Sequence, residues 1–570
     1  VRIALGPVNH QSLQASNRCD CVSAVENRNR GKTTMLHRHK HPEVTQAMRP
    51  WSLVFFLIYA VQKTINHAEG ISKGSINRIL KDPQSQGGFG LTPEKAGGFL
   101  ADSFLGWYIK ALFGLLTDNL PLFGYRRKSW LIITSLIAGI TWFWVAMHGT
   151  SLQALLAGLM IINIMVAFND VVCDGLMVET AQRFEQRYHL PAGTVNRPFQ
   201  AAQWSGAYFA LFISSMAGAI IAQFFELRAA AIISGIAPLV LAIAIALLVR
   251  EDKVAWNREQ ARKGFMAIAV IFIVAFTILK LKDIPADNPV RPFEPVITAL
   301  IIISAMLLMV RIPKTLVAPL LLVLCWQAAP FDSGTQYMYQ YFTLYNTQFV
   351  DALANGSVVV DGMRTLVGWL GLADQASLQG EAFVELYWNG ILRSISALFA
   401  IIGALFYRRY LQAVPFAYLF AWCILAQGAV MASFLLFSVG KVSDAGVLMA
   451  IMAVEGAVFL VATLAILGYA AKRTPQTNQA SIFALFMGMY NLGQVMGREQ
   501  LGGRIFTAFA DKTTVTVDGV TETILRSPHE GVTATVVISV CYLGLVYALV
   551  RYMVRKGHIM THPEDAGEAF

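Results

Sequence analysis

Six ionisable residues stand inside or at the ends of long apolar runs: Lys110, Asp118, Asp170, Asp174, Glu179 and Asp332. A charge at the centre of a bilayer costs at least ~2.5–3.5 kcal/mol on insertion scales, so such groups persist where they pair or face water. Lys110 precedes Asp118 by eight residues, which on a helix sets its ammonium about 12 Å deeper, too deep for easy snorkelling. Two chemistries are open to it: anchoring an anionic or carbonyl-bearing solute, or pairing with an acid on another helix. Asp170 and Asp174 are four apart and share a helix face, with Glu179 nearer the helix end. Neighbouring carboxylates raise the proton affinity of at least one of them. They can therefore carry a coupling proton, or close a gate by pairing with Arg126, Arg127 or a cation of the C-terminal half. The gate is preferred for Asp174, and Asp170 stays open between the two roles. Asp332 follows Pro330 and precedes Gln336, and the carbonyl freed by Pro predicts a broken helix lining a cavity.

Amides and aromatic rings accompany these charges. Gln200, Gln203, Asn491 and Gln494 offer donors and acceptors, and Trp204, Trp326, Tyr337 and Tyr341 offer stacking faces for a flat heterocycle. Each taken singly is more readily a packing or interhelical hydrogen bond. The candidates for solute binding or coupling are thus Lys110, Asp170, Asp332, Gln203, Gln336 and Asn491. Arg393, Glu455, Arg498 and Glu499 are expected to pair within the C-terminal half, with no solute role.

The elements that must hold these groups follow from composition. Of 570 residues 56% are hydrophobic and only 14% charged, against roughly a quarter charged in soluble proteins. Mean hydropathy is +0.53. Six Cys exclude a disulfide scaffold, and the composition excludes disorder. An all-α polytopic membrane protein remains. Apolar runs long enough to span lie near 51–66, 97–117, 129–148, 151–181, 199–223, 229–249, 264–280, 294–310, 316–342, 383–407, 413–438, 444–471, 479–509 and 532–552, about fourteen helices. The runs are too long and too continuous for barrel strands. Residues 1–50 form a basic tail with no signal-peptide core, so the first span is expected to be retained. The first residue is Val, and Met35 is an alternative start. His37, His39 and His41 alternate with Arg38 and Lys40, whose charge opposes a metal, and the reading there is a solvated tail.

The net charge of +10 gathers in alternate loops. Arg126-Arg127-Lys128, Arg183 to Arg197, Arg250 to Lys263, Arg311 and Lys314, Arg408-Arg409, Lys472-Arg473 and Arg551 to Lys556 fall on one side, which the positive-inside rule makes cytoplasmic with both termini. A first outer loop with Lys73, Arg78, Lys81 and Lys95 is discordant. The boundaries expected are a half at 51–250, a linker with an extra helix pair at 251–315, a half at 316–555 with an outer insertion at 346–382, and a tail at 556–570.

The stretch Gly114…Asp118…Gly124-Tyr-Arg126-Arg127 resembles the first cytoplasmic hairpin of major facilitator transporters, and Tyr407-Arg408-Arg409 echoes it in the other half. In longer form, Trp107-Tyr-Ile-Lys110 leading to Asp118-Asn-Leu-Pro-Leu-Phe-Gly124 is similar to the folate–biopterin transporter family. Asn169-Asp170-Val-Val-Cys-Asp174 to Glu179 is similar to that family's fourth helix, Trp326-Gln-Ala-Ala-Pro330-Phe-Asp332 to its second half's opening, and Asn478 to Gly493 to its eleventh helix. Ala111 stands where the family usually has Pro, and the helix pair and the insertion depart from its twelve-helix plan. The resemblance implies a major facilitator fold of two six-helix halves plus a helix pair. It also implies a gate or hairpin set of Gly114, Asp118, Gly124, Arg126, Arg127, Asp174 and Glu179. The implied activity is secondary transport of a folate- or pterin-like solute by alternating access. With no GxxxxGK[ST], HExxH or GxSxG motif, proton coupling rather than nucleotide hydrolysis is expected, and no enzyme activity. The expected partners are the solute, a proton and the lipid bilayer, with no nucleic acid, cofactor or metal, for a monomer in the cytoplasmic membrane of a bacterium. The rival readings are a facilitator for another organic anion or a muropeptide, and a non-transporting membrane assembly factor.

Overall fold

The computed structural model describes residues 42–559 apart from 191–193, 283, 285–287, 291–292, 310–311, 313, 355–357, 373–380, 412–413, 474–478 and 518–519. The His-bearing tail and residues 560–570 lie outside the described residues. Among those described, ten helices are long and apolar enough to cross a membrane.

The first span divides into α1 (Pro42–Ile65) and α2 (Lys73–Lys81), and so begins ahead of Trp51, where the apolar run starts. The second is kinked into α3 (Pro93–Ser103), α4 (Leu105–Tyr108) and α5 (Lys110–Asn119). Continuous helices follow: α6 (Lys128–His148), α7 (Leu152–Arg187), α8 (Asn196–Phe224) and α9 (Leu227–Leu248). The additional pair is α10 (Arg258–Lys282) and α11 (Glu294–Met309), which lies against α5. A second broken span comprises α12 (Lys314–Gln327) and α13 (Gln336–Gln340), with a π turn after it. The insertion carries α14 (Thr347–Ala354) and α15 (Val358–Trp369). The next span runs from α16 (Glu381–Glu385) through a π turn into α17 (Arg393–Phe406). Then come α18 (Phe416–Ser433), α19 (Leu435–Ser438) and α20 (Ala445–Arg473). A π turn at Val495–Leu501 joins α21 (Gln479–Gln494) to α22 (Gly502–Phe509), and α23 (Pro528–Arg555) is last.

Five of the about fourteen expected spans, those near 97–117, 316–342, 383–407, 413–438 and 479–509, are composites of shorter segments. The sequence reading also missed an antiparallel hairpin, β1 (Lys512–Val517) with β2 (Val520–Leu525), paired Lys512↔Leu525 to Val517↔Val520. Its signal was there, two runs rich in Thr and Val separated by Asp518-Gly519.

Helices α1 and α6–α9 pack mainly on one another, as do α17, α18, α20 and α23. Across the middle, α8 lies against α17, and α3–α5 lie against α21, α22 and the π turn between them. The breaks at 66–72 and 328–335 sit at equivalent points of the first and seventh spans. Gly70 makes the first break possible, since a Cβ there would stand 2.0 Å from the Thr64 carbonyl oxygen. Gly502 does the same for the second, where a Cβ would stand 2.1 Å from the Pro330 oxygen. Replacing Gly502 with Val must push the second break off α22, an overpacking that costs about 1–3 kcal/mol. The expected result is a lower thermal midpoint in detergent, whereas Gly544→Ala, with open space at its Cβ, leaves the midpoint unchanged.

Candidate functional site

The two breaks border a cavity of about 300 Å³ between the two groups of helices. Lys110, Asp170, Asp174, Gln203, Asp332 and Asn491 all line it, as do Gln200, Trp204 and Gln494. Gln336 does not. It is buried where its Nε2 donates to the Asn77 carbonyl at 3.2 Å, a bond between α13 and α2. Trp326, Tyr337 and Tyr341 are likewise away from the cavity: Trp326 donates to Gln427 at 2.6 Å, Tyr337 to the Pro330 carbonyl, and Tyr341 meets His529.

Most charges here are matched. Lys110 pairs with Asp170, both buried, and its ammonium lies 5.5 Å from the Trp107 ring centre. Arg498 pairs with Asp332 and donates to Gln327 at 2.5 Å, while its guanidinium faces the Phe459 ring at 5.3 Å. Asp332 in turn caps the second break, its Oδ1 accepting from the Gly334 amide at 2.8 Å. Lys63 pairs with Glu69 at the first break. Of the two readings of Lys110, the ion pair with an acid on another helix is what the geometry shows.

Five cavity-lining groups have no oppositely charged partner within 4 Å among the described residues. Lys73 donates to the Gly334 carbonyl at 3.0 Å and so joins the two breaks. Arg393 reaches only the Ala68 carbonyl at 3.5 Å, and its Nη1 is buried without a partner. The carboxylates are Asp174, which accepts from Tyr59 at 2.5 Å and Gln203 at 3.4 Å; Glu455, which accepts from Ser333 at 2.6 Å; and Glu499, which accepts from the Gln336 amide at 3.4 Å. Arg393, Glu455 and Glu499 thus form no ion pair within the second half, contrary to the sequence reading; only Arg498 does. The signal for Arg393 was available, as a guanidinium ten residues inside an apolar span with no acid three or four residues away.

The hairpin residues gather elsewhere. Arg127 is buried, donating to Thr117 at 2.7 Å and Glu179 at 2.9 Å, and it also pairs with Asp118. Arg126 lies 3.8 Å from Glu179. Glu251 accepts from the amides of Arg126, Arg127 and Lys128, an anion set on the N-terminus of α6. Gly124 has φ +80, so the turn needs a residue without Cβ strain. Gly114 lies one turn before Asp118, its carbonyl accepting from Thr117. Asp174 is not in this cluster. It lies five residues, or about 7.5 Å, along α7 from Glu179 and so faces the cavity instead of pairing with Arg126 or Arg127. The hairpin set braces one face of the bundle.

On the opposite face the two groups of helices are tied together. Lys81 of α2 pairs at 2.9 Å with Glu385 of α16, both buried, and Gln340 donates to the Leu91 carbonyl at 3.1 Å. Nearer the middle of the bundle, Ser394 donates to the Phe212 carbonyl at 2.9 Å. Lys73 and Lys81, read as loop charges in the sequence, are thus helical residues engaged in contacts between the helix groups, while Arg78 pairs with Asp82.

A family model described as the BT1 family matches residues 67–567. A folate-biopterin transporter of Synechocystis sp. is 23% identical over 549 residues, covering 94% of this chain and 90% of that protein. Among solved structures, a POT family transporter in complex with 5-aminolevulinic acid superposes with TM-score 0.63 at 11% identity, over 89% of this chain and 96% of that one. The peptide transporter POT in complex with sulfate superposes with TM-score 0.62 at 13% identity, over 90% and 96%. The fold is that of a major facilitator transporter.

Removing one member of the buried Lys110–Asp170 pair leaves an uncompensated charge, a loss of about 3–5 kcal/mol. Lys110→Met and Asp170→Asn are each expected to lower the thermal midpoint of the purified protein. The double variant is expected to recover most of that loss, read as a positive coupling in a double-mutant cycle.

Proposed function

Since the chain belongs to the BT1 family of folate-biopterin transporters, a membrane transporter family of major facilitator type, we propose that it carries a folate-like anion by proton-coupled alternating access. The observation that carries this reading is which cations of the cavity are held in an ion pair and which are not. Lys63, Lys110 and Arg498 are each matched by a carboxylate, whereas Lys73 and Arg393 line the same space with none within 4 Å. An anionic solute can pair with both cations, and does so where helices of both halves meet. Binding to both lobes at once is what lets a solute favour the closed passage from one facing state to the other.

Coupling belongs to a carboxylate that has no cation to hold it charged. That argument moves the role away from Asp118, Asp170 and Asp332, which are paired, and onto Asp174, Glu455 and Glu499, of which Glu455 bonds to the second break through a side-chain hydroxyl. Its partner, Ser333, adjoins Asp332 and lies within the second break, so gain of a proton alters the hydrogen bonding of the segment that Lys73 contacts. With both termini cytoplasmic, the Lys81–Glu385 face is the outer one, and this conformation is closed to the outside.

In vesicles containing the purified chain, an imposed pH gradient is expected to drive accumulation of labelled folic acid. Folates and pterins compete, and citrate does not. Glu455→Gln is expected to abolish gradient-driven accumulation while keeping exchange of internal for external folate. Loss of both activities together, or retention of both, counts against this coupling site.

A further inference from the structure

Three of the unpaired groups fall at two levels of the cavity, and their chemistries differ. At one level stands Asp174. Its Oδ1 is held by Tyr59 and Gln203, while its Oδ2 accepts no hydrogen bond from a described residue. Trp204 lines the same cavity 6.4 Å from the ring of Tyr59, whose hydroxyl holds Asp174, so the two rings supply an aromatic wall. A free carboxylate oxygen next to a flat wall complements a planar heterocycle that presents adjacent N–H donors, such as the 2-amino and N3–H groups of a pterin. At the other level stand Lys73 and Arg393, two cations with no carboxylate within 4 Å among the described residues and with the Arg393 Nη1 buried without a partner, which complement carboxylates.

The spacing of the levels can be read along two helices. Tyr59, which holds Asp174, precedes the first break at Asn66 by seven residues, about 10 Å on α1. Gln203, which also holds Asp174, precedes Phe212, whose carbonyl binds Ser394 next to Arg393, by nine residues, about 13 Å on α8. A bicyclic ring alone is too short to touch both levels. A pteridine joined through an aminobenzoyl spacer to a glutamate reaches both.

We infer that the cavity holds two subsites, Asp174 with Gln203 and Trp204 for the aminopyrimidine edge of a pteridine, and Arg393 with Lys73 for the carboxylates of its glutamate tail. The assignment rests on the folate reading above. It makes the separation of the subsites the basis of selection: conjugated folates bridge both, and unconjugated pterins engage only the first.

The test is calorimetric titration of the purified full-length chain with folic acid and with its two fragments, 6-hydroxymethylpterin and 4-aminobenzoylglutamate. Asp174→Asn is expected to weaken the pterin fragment about ten- to a hundredfold and leave the tail fragment unchanged. Arg393→Gln is expected to do the reverse. Where either variant elutes as aggregate, Gln203→Leu and Lys73→Gln take its place at the same subsite. The assignment is overturned if each substitution weakens both fragments alike, or if the pattern is exchanged. Folic acid that binds while the fragments fail to segregate sinks the two-subsite assignment alone. Folic acid that does not bind the unmodified chain sinks the folate reading, and the assignment with it.

Discussion

A charge removed from water must be matched, and where a membrane protein leaves one unmatched it must keep water or a ligand beside it. That constraint orders the interior of this molecule. Lys110 with Asp170, Arg498 with Asp332 and Lys63 with Glu69 satisfy it from within. Arg127, enclosed by Asp118, Glu179 and Thr117, satisfies it at one face. Lys81 with Glu385 satisfies it at the other, across the two halves. What remains unmatched, Lys73, Arg393, Asp174, Glu455 and Glu499, lies around one cavity. The matched pairs are scaffold, and the unmatched groups are where a solute or a proton can act.

The breaks in the first and seventh spans are the structural means to this end. Interrupting a helix in lipid exposes carbonyls and amides that need partners, which is tolerated only where protein or water supplies them. Here each break uses the other: the Lys73 ammonium meets the Gly334 carbonyl, and the Asp332 carboxylate closes its own loop on the Gly334 amide. Gly70 and Gly502 let the chain come close enough for this. The breaks also carry Glu69, Lys73, Asp332 and Ser333 to the cavity, so the irregular backbone and the polar lining are one feature.

The sequence was most informative where a single residue had an unambiguous environment. Apolar runs located the spans, the depth of Lys110 placed it in the interior, and Pro330 marked the second break. The hairpin motif grouped Asp118, Arg127 and Glu179, which do meet, while Asp174, offered as a partner of Arg126, Arg127 or a cation of the other half, lies at the cavity on Tyr59. It was least informative about which charge meets which. Lys110 could anchor a solute or pair with an acid, and only the approach of α5 to α7 decides for Asp170. The first break has no Pro to announce it, and the apolar run simply ended at residue 66, which turned the helical Lys73 and Lys81 into loop charges. Gln336 and Asn491 look alike as buried amides, yet one ties α13 to α2 and the other has its Nδ2 buried without a partner at the cavity wall.

The central claim is that no carboxylate among the described residues pairs with Lys73 or Arg393 and that the solute provides that contact. Thermal unfolding of the purified chain with folic acid and with its uncharged bis-amide tests this directly, since the two differ little in size and chiefly in charge. Ligand that binds the folded state raises the midpoint. Clearly greater stabilisation by folic acid than by the bis-amide, which keeps only its pterin contact, is the result expected. Equal stabilisation by both would contradict the account.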